Sequence, residues 1–530
     1  MPTAESPPFA PITPRQRQAV LVGMVCGASL ASIDQMVLAT AVGTIAGELG
    51  ELHQAPWIFT ANLLASASSM PIWGKLGDLY GRRRVFQTAI VLFIAASLLA
   101  AQSQSMTTLL VCRALQGLGG GALLTMPYGI LADVVPPRDR PAYAALVTVV
   151  WTVAGLLGPP LGGLIADGPG WRFMFYLNVP AALVSFGLLQ WGYRIPVRRL
   201  EHRVDFPGAA LLFSAVGSLI LYTSWAGESL GWASPAALAL LATSGLLALA
   251  FVRWEQRAAE PIVEISLFRS RAVWAPLLTT FLYGLGNFAI TFMIPLFGLV
   301  VRGTSAVEAG LGLMPLTSGL LVSSIVAGRI ASATQRFRRF AMGGLCIYGL
   351  GIALLATAGP ETSRLQLWLY TLLLGLGSGP LNPTLISSLQ NAVDPRHLGV
   401  ASALPGFSRT VAQSIGSSAL GTLLALRFAH HLSADVSPAA AGGVALDGLA
   451  GSPEAIRALA EPLHSLVVGA YASAFSETII AMFVLVVLTL AAAWFMVDPH
   501  DRPAASAGEP AASAPPKGST ARAASVSLQP

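Results

Sequence analysis

Charge is what this chain has least of. Asp, Glu, Lys and Arg make up 11% of its 530 residues, where a soluble globular protein carries about 25%. So few charges could not cover a folded surface in water, and a soluble globular protein is excluded. Lysine is almost missing, with Lys75 and Lys517 the only two. The glycine cluster Gly119–Gly121 therefore has no P-loop lysine beside it and reads as a packing surface. The three cysteines, Cys26, Cys112 and Cys346, lie far apart in apolar runs and imply neither a disulfide framework nor a zinc site. The seven histidines are scattered through loops and segment ends, and the adjacent pair His430–His431 lacks companion ligands. No enzyme, metal or cofactor signature survives. No cleavable signal peptide is visible, because the first apolar run is long enough to span and follows a Pro-rich basic leader.

What the chain has instead is apolar length. Apolar residues make up 54%, mean hydropathy is +0.67, and 53 positions are glycine. A membrane helix needs roughly 20 such residues. Fourteen candidate stretches lie between charged clusters, near 19–42, 56–74, 85–103, 107–131, 142–166, 173–193, 206–226, 235–252, 272–300, 309–330, 340–358, 365–390, 398–426 and 474–496. Helices are expected, since only helices and closed barrels satisfy the backbone in lipid and no strand-like alternation is present. Of the 31 Lys and Arg, 24 fall in the two termini and alternate loops, while Arg172, Arg302, Arg364, Arg427 and Arg457 lie on the other side. The remaining two, Arg113 and Arg409, fall inside stretches. This asymmetry places both termini in the cytoplasm of a multi-pass protein of the cell membrane. Despite a pI near 9.5, no nucleic-acid partner is expected, because the basic residues sit in short clusters between long uncharged runs. The leader 1–18 and the tail 498–530, rich in Pro, Ala and Ser, read as disordered. Residues 428–465 form the one long external loop, with a short helix expected around Pro453–Ala460.

A shift of 258 residues brings two stretches into register. Gly117-Leu118-Gly119 falls on Gly375-Leu376-Gly377, Pro137-Arg138 on Pro395-Arg396, and Thr152-Val153-Ala154 on Thr410-Val411-Ala412. Gly158 then falls on Gly416 and Gly163 on Gly421. Two six-helix halves, 19–193 and 272–496, are expected to run in the same direction, separated by two additional spans in 206–252. Parallel halves with a site between them are a transporter architecture.

One loop carries a dense motif: Gly74-Lys75-Leu76-Gly77-Asp78-Leu79-Tyr80-Gly81-Arg82-Arg83-Arg84. Its glycines allow a tight turn and close helix approach, and Asp78 can accept from a helix N-terminus or from nearby arginines. The run resembles the signature loop of the major facilitator superfamily. Leu109–Gly117, with Arg113 and Gln116, is similar to that superfamily's span 4 motif. Gly158-Pro159 followed by Gly162-Gly163, with Gly155 ahead of them, is similar to its span 5 antiporter motif. Trp171-Arg172-Phe173 through Asn178-Val179-Pro180 resembles the fourteen-span drug–proton antiporters, the EmrB/QacA-like group. So do Ile33-Asp34 with Thr44-Ile45-Ala46, and Arg302-Gly303 through Gly310 to Pro315. Met36, Gly43, Asn62 and Ala154 depart from the group's usual residues, which bears on substrate range more than on fold.

The resemblance covers roughly residues 18–497. It implies an all-α integral membrane protein of the major facilitator fold, with two six-helix bundles plus two additional transmembrane helices, 14 spans in all. It also implies a proton-coupled exporter of small amphipathic compounds, partnered by lipid, protons and substrate; a periplasmic adaptor stays open. The loop around Asp78 would latch the outward-open form, and Gly155–Gly163 would let helices pack closely. A single-metabolite, anionic-substrate transporter of the same fold is the first alternative, and a transport-inactive sensor or scaffold the second.

An intramembrane carboxylate is a functional-site hypothesis by default. Asp34, with Arg113 as partner, is the expected proton-coupling pair; the competing reading is a purely structural pair. The expected latch comprises Gly74, Asp78, Gly81, Arg82 and Arg83, joined by Asp133 and Arg138. Asn62, Gln116, Trp151, Asn287, Asn382 and Arg409 are expected to line the substrate cavity, and each competes with a packing or hydrogen-bonding role. Glu477, near the outer end of the last span, is a further acid that sits at the interface or takes part in proton or cation binding.

Overall fold

The computed structural model describes residues 13–39, 41–49, 54–55, 57–194, 204–435, 456–457, 459–461 and 463–499. Among them there is no strand. The first helices are α1 (Pro14–Ala39), α2 (Val42–Leu49), α3 (Trp57–Tyr80), α4 (Arg82–Ala101), α5 (Met106–Val134) and α6 (Arg140–Asp167), and then α7 (Arg172–Tyr176) runs into α8 (Asn178–Gly192). Two more follow, α9 (Phe206–Trp225) and α10 (Pro235–Glu255). The second series is α11 (Arg271–Val301), α12 (Ala306–Leu311), α13 (Met314–Thr334), α14 (Phe337–Leu355), α15 (Arg364–Ser378), α16 (Leu381–Gln390), α17 (Leu398–Asp435) and α18 (Leu463–Trp494). Among the described residues, ten helical stretches are long and apolar enough to cross a membrane by length and composition.

Local chemistry sets the helix boundaries. Ser105 accepts the Thr108 amide at the start of α5, and Ser234 accepts the Ala237 amide at the start of α10. Ser305 with Glu308 and Ser363 with Gln366 form capping boxes, which satisfy amides that a helix leaves orphaned. Prolines stand inside α3, α5, α11 and α17. At Gly379-Pro380 the helix is interrupted, so the single stretch expected at 365–390 is α15 followed by α16.

Three expected boundaries are corrected. Helix α1 begins at Pro14, so the end of the leader is helical rather than disordered. The external loop expected at 428–465 is shortened from both sides, because α17 continues to Asp435 and α18 starts at Leu463. Of the short helix expected there, only Ile456 and Arg457 are helical among the described residues. The tail beyond 499 lies outside the described residues.

The internal repeat recurs in how the helices cross. A methyl group at Gly117 would strike the Asn62 carbonyl, and one at Gly375 the Leu316 carbonyl. One at Gly121 would strike Ser69 and the Ser66 carbonyl, and one at Gly379 would strike Ser323 and the Leu320 carbonyl. Likewise Gly119 abuts Ala89 and Phe93, as Gly377 abuts Gly344 and Tyr348. Glycine thus brings α5 onto α3 and α4, and α15 onto α13 and α14, in the same register. Gly158 packs on Met36 of α1, and Gly416 on the Leu285 backbone of α11. Substituting Gly416 by Val should therefore destabilise by about 2 kcal/mol or more, the cost of overpacking against backbone that cannot move aside. Gly155→Val, where an added methyl would meet no described atom within 4 Å, should stay within about 0.5 kcal/mol. Thermal unfolding of the purified protein in detergent compares the two.

The two series of helices meet along two seams. At one, α3 packs on α17; at the other, α6 packs on α13. Helix α9 lies over the first seam, touching both α3 and α17. Its residues Leu212, Val216 and Ile220 share a core with Ala67, Leu277, Leu404 and Val411. Thr223 bonds Ser414 at 3.0 Å, and Trp225 stacks edge-on with Trp57 at 5.7 Å.

Candidate functional site

Five helices contribute to one buried polar cluster. Arg113 and Gln116, three residues apart on α5, share a helix face. Arg113 Nη1 donates to Asp34 Oδ2 of α1 at 2.6 Å and to Gln116 Oε1 at 2.5 Å. Gln116 Nε2 closes the ring by donating to Asp34 Oδ1 at 2.8 Å. Asn178, at the head of α8, donates to the same Oδ1 at 2.9 Å and to Ser97 of α4 at 3.0 Å. Arg113 Nε reaches the Ile58 carbonyl of α3 at 3.2 Å, and Asn62 donates to the Arg113 carbonyl at 3.3 Å. Arg113 is 0% exposed and Asp34 7%. Arg113 Nη2 alone has no hydrogen-bond partner among the described residues. A buried ion pair is tolerated only with such satisfaction of its remaining donors and acceptors.

The expectation that Asp34 and Arg113 face each other holds in this geometry. Gln116 and Asn62, expected to line the cavity, are both buried and bonded to this pair. Asn178 and Ser97 were missed as site residues. Asn178 carried a signal through its motif; Ser97 carried none.

A second cluster joins the two halves. Asp78, on the last turn of α3, pairs with Arg82 Nη2 at 2.7 Å. It also accepts from the Gly399 amide, 2.9 Å from each carboxylate oxygen, and from the Val400 amide at 3.2 Å. These amides open α17, so a carboxylate from one half caps a helix of the other, where the helix dipole favours negative charge. Gly74 makes the approach possible: a methyl there would lie 2.8 Å from the Gly399 carbonyl. Gly81, at φ 89°, turns the chain from α3 into α4. Arg82 also binds Asp133 and donates to the Gly129 carbonyl at 2.8 Å. The Tyr193 hydroxyl donates to Asp133, and Arg83 donates to the Tyr193 carbonyl at 3.0 Å.

Asp133 therefore takes Arg82 and Tyr193 rather than the adjacent basic residues. Arg140 donates to the Ala132 carbonyl at 2.9 Å, and Arg138 contributes only its carbonyl, which accepts from Gln335 at 2.9 Å. Beside it Ser332 of α13 accepts the Ala142 amide at 3.0 Å. Tyr193 had no sequence signal.

Between the clusters, polar groups of both halves meet. Asn382 of α16 donates to the Tyr128 hydroxyl and to Thr148, each at 3.4 Å, and Gln390 donates to the Tyr128 carbonyl at 2.9 Å. Tyr283 donates to Asn287 at 2.8 Å. The half-buried Arg409 lies within electrostatic reach of both Tyr128 and Tyr283. Asn382 and Arg409 thus reach groups of the first half, while Asn287 is held by Tyr283 on its own helix. The side chains of Trp151 and Pro159 lie outside the described residues.

Within the span 5 motif, Gly158 is pressed onto α1 and Gly162 is buried, but methyls at Gly155 and Gly163 would meet no described atom within 4 Å. Of Gly155, Gly158 and Gly163, close packing is therefore the work of Gly158. Glu477 of α18 pairs with Arg427 at 3.3 Å and His431 at 3.0 Å in a partly exposed group. At the far end of the first half, Trp171 donates to Glu48 at 2.6 Å and Arg172 pairs with Glu48 at 2.5 Å. Hydrogen bonds from Arg172 first and Trp171 second hold the Glu48 carboxyl below the usual carboxylate range.

Two helix series with matching crossings, a buried ion pair and a clamp across the halves define a polytopic membrane transporter rather than an enzyme. The chain belongs to the Major Facilitator Superfamily, whose profile matches residues 24–417. It is 31% identical to Multidrug resistance protein 3 of Bacillus subtilis over 405 residues, 76% of this chain and 79% of that one. It is 29% identical over 423 residues to the Multidrug transporter protein MdtP of the same organism, covering 80% of this chain and 78% of the relative. Among solved structures, the human organic anion transporter MFSD10 aligns with TM-score 0.58 at 15% identity, over 89% of this chain and 100% of that one. That likeness shows the fold.

Proposed function

We propose that this protein is a proton-coupled exporter of small amphipathic compounds, of the multidrug efflux type, in the cell membrane with both termini cytoplasmic. All fourteen helical segments are read as spans, adding α3, α6, α15–α16 and α17 to the ten that meet the apolar criterion. They divide into a first bundle (19–193), two additional spans (206–252) and a second bundle (272–496). The Asp78 clamp then lies on the cytoplasmic side, so this form is closed to the cytoplasm. The multidrug names of the bacterial relatives support the substrate class.

The observation that carries the reading is Asp34, a carboxylate held inside the first bundle with every contact supplied by side chains that can rearrange. Proton binding at Asp34 would release Arg113 and Gln116, and proton loss would restore the ring. One charge crossing about 100 mV is worth roughly 2.3 kcal/mol, enough for about a 50-fold gradient per proton.

Proteoliposomes with an imposed pH gradient test this. The wild type should move protons in response to a panel of lipophilic cations, and Asp34→Asn should bind them without proton movement. Asp34→Glu, which restores an ionisable group, should recover part of the coupling. Equal proton movement by wild type and Asp34→Asn would remove Asp34 from that role. A single-metabolite transporter of an anionic compound is the second reading, favoured by Arg409 at the interface beside Tyr128 and Tyr283. Proton movement with one anionic compound and none of the cations would select it.

A further inference from the structure

Helices α9 and α10 form a hairpin, and its two ends on the clamp side carry one carboxyl group each. Asp205 caps α9: its Oδ1 accepts the Gly208 amide at 2.9 Å and the Trp254 indole N–H at 2.8 Å. Glu255 ends α10, is 3% exposed, and its Oε2 accepts the Val263 amide at 3.3 Å. One oxygen of each carboxyl is thus occupied. The other two, Asp205 Oδ2 and Glu255 Oε1, are buried and have no hydrogen-bond partner among the described residues.

Both leftover oxygens face the same point. A methyl group at Gly208 would collide with Asp205 Oδ2 and come within 3.0 Å of Glu255 Oε1. Two carboxylates sharing a buried spot cannot both ionise without a large penalty. A single hydrogen between them satisfies both, one O–H donating and one oxygen accepting. We propose that Asp205 and Glu255 form a proton-binding site, sharing one hydrogen, that fastens the segment following α10 to the clamp side and lets it go when the proton leaves.

The charged surroundings fit that role. Lys75 of α3 lies within electrostatic reach of Glu255, but among the described residues neither carboxyl has a cation at ion-pair distance. The segment 256–267 roofs a pocket of about 770 Å³ whose wall includes Lys75 and Asp78. Glu255 itself, Glu260, Glu264, Arg269, Arg396 and His397 complete its charged lining. Of these, His397 is paired with Glu264 at 3.0 Å, and Asp78 is held by Arg82 and the start of α17. Loss of the shared hydrogen would set two negative charges against each other under the Val263 amide, and the roof over Asp78 would lift. The site thereby assigns the two additional helices a task, a report of cytoplasmic pH to the clamp, independent of what the protein exports.

Infrared titration of the purified protein in lipid bilayers, from about pH 6 to about pH 9, reads the hydrogen directly as a protonated-carboxyl band lost at alkaline pH. The band should vanish in Glu255→Gln and in Asp205→Asn, with all other carboxyl bands unchanged. Trypsin cleavage at the exposed Arg257, normalised to a denatured control at each pH, reads the roof. In the wild type it should rise at least about threefold toward alkaline pH, as local opening exposes the segment. In Glu255→Gln, whose amide donates in place of the hydrogen, it should stay low throughout. Retention of the band in both variants, or cleavage that follows no pH change in the wild type, overturns the proposal. So does protection restored at alkaline pH by magnesium ions alone, which would make the pair a metal site. A failure of proton-driven export with the band and the cleavage pattern intact would fall on the proposed function and not on this site.

Discussion

Arg113→Ala is expected to cost about 3–5 kcal/mol of stability, because it leaves the Asp34 carboxylate buried without its cation. The loss should exceed that of any other single polar substitution in the first bundle. Asp34 would retain only the Gln116 and Asn178 amides, and Gln116 Oε1 would lose its donor as well. Replacing both partners by apolar residues of similar size, Asp34→Leu with Arg113→Met, should restore most of the stability, since a buried pair often contributes little net against a hydrophobic substitute. Transport should stay abolished. Thermal unfolding in detergent gives the first quantity and proteoliposome export the second. A double variant that exports at the wild-type rate would make the pair a structural element alone.

Asp78→Ala should have the second largest effect, and on conformation rather than folding. The substitution removes the acceptor of the Gly399 and Val400 amides at the start of α17 and the i,i+4 partner of Arg82. Charge-assisted hydrogen bonds of this kind are worth about 1.5–3 kcal/mol each. A net loss of about 2 kcal/mol shifts the ratio of open to closed clamp about thirtyfold. Spin labels at Tyr80 and Arg396, both exposed positions flanking the contact, should report a longer and broader distance distribution. Asp78→Asn, which keeps an acceptor oxygen but no charge, should fall between. An unchanged distribution in Asp78→Ala would place the clamp elsewhere, on the Arg138–Gln335 and Ala142–Ser332 contacts.

Much of this was readable in the sequence because charge is so costly in hydrocarbon. Asp34, Arg113 and Asp78 stand out in a chain with few ionisable groups, and each takes the kind of partner its chemistry calls for. The glycine repeat was readable for the same reason in reverse, since only glycine permits the backbone contacts at Gly117, Gly375, Gly158 and Gly416. Neutral polar residues were not readable. Gln116 and Asn62 could equally have faced a cavity or a neighbour, and only three dimensions decide that they hold Arg113. Ser97 and Tyr193 act through single hydroxyls, which leave no periodic or compositional trace. The ends of α1, α17 and α18 were misplaced because polar residues can continue a helix beyond the apolar run that announces it.

Helix α9, which belongs to neither series, lies against the α3–α17 seam, whereas the described helix that touches both α6 and α13 is α16 of the second series itself. The molecule's approximate twofold symmetry is thereby broken in the plane of the bilayer. A compound dissolved among acyl chains would therefore meet an added helix at the first seam and only helices of the two series at the second. Lipid-soluble photoreactive probes should accordingly label α9 on the first flank, and α6 and α13 directly on the second.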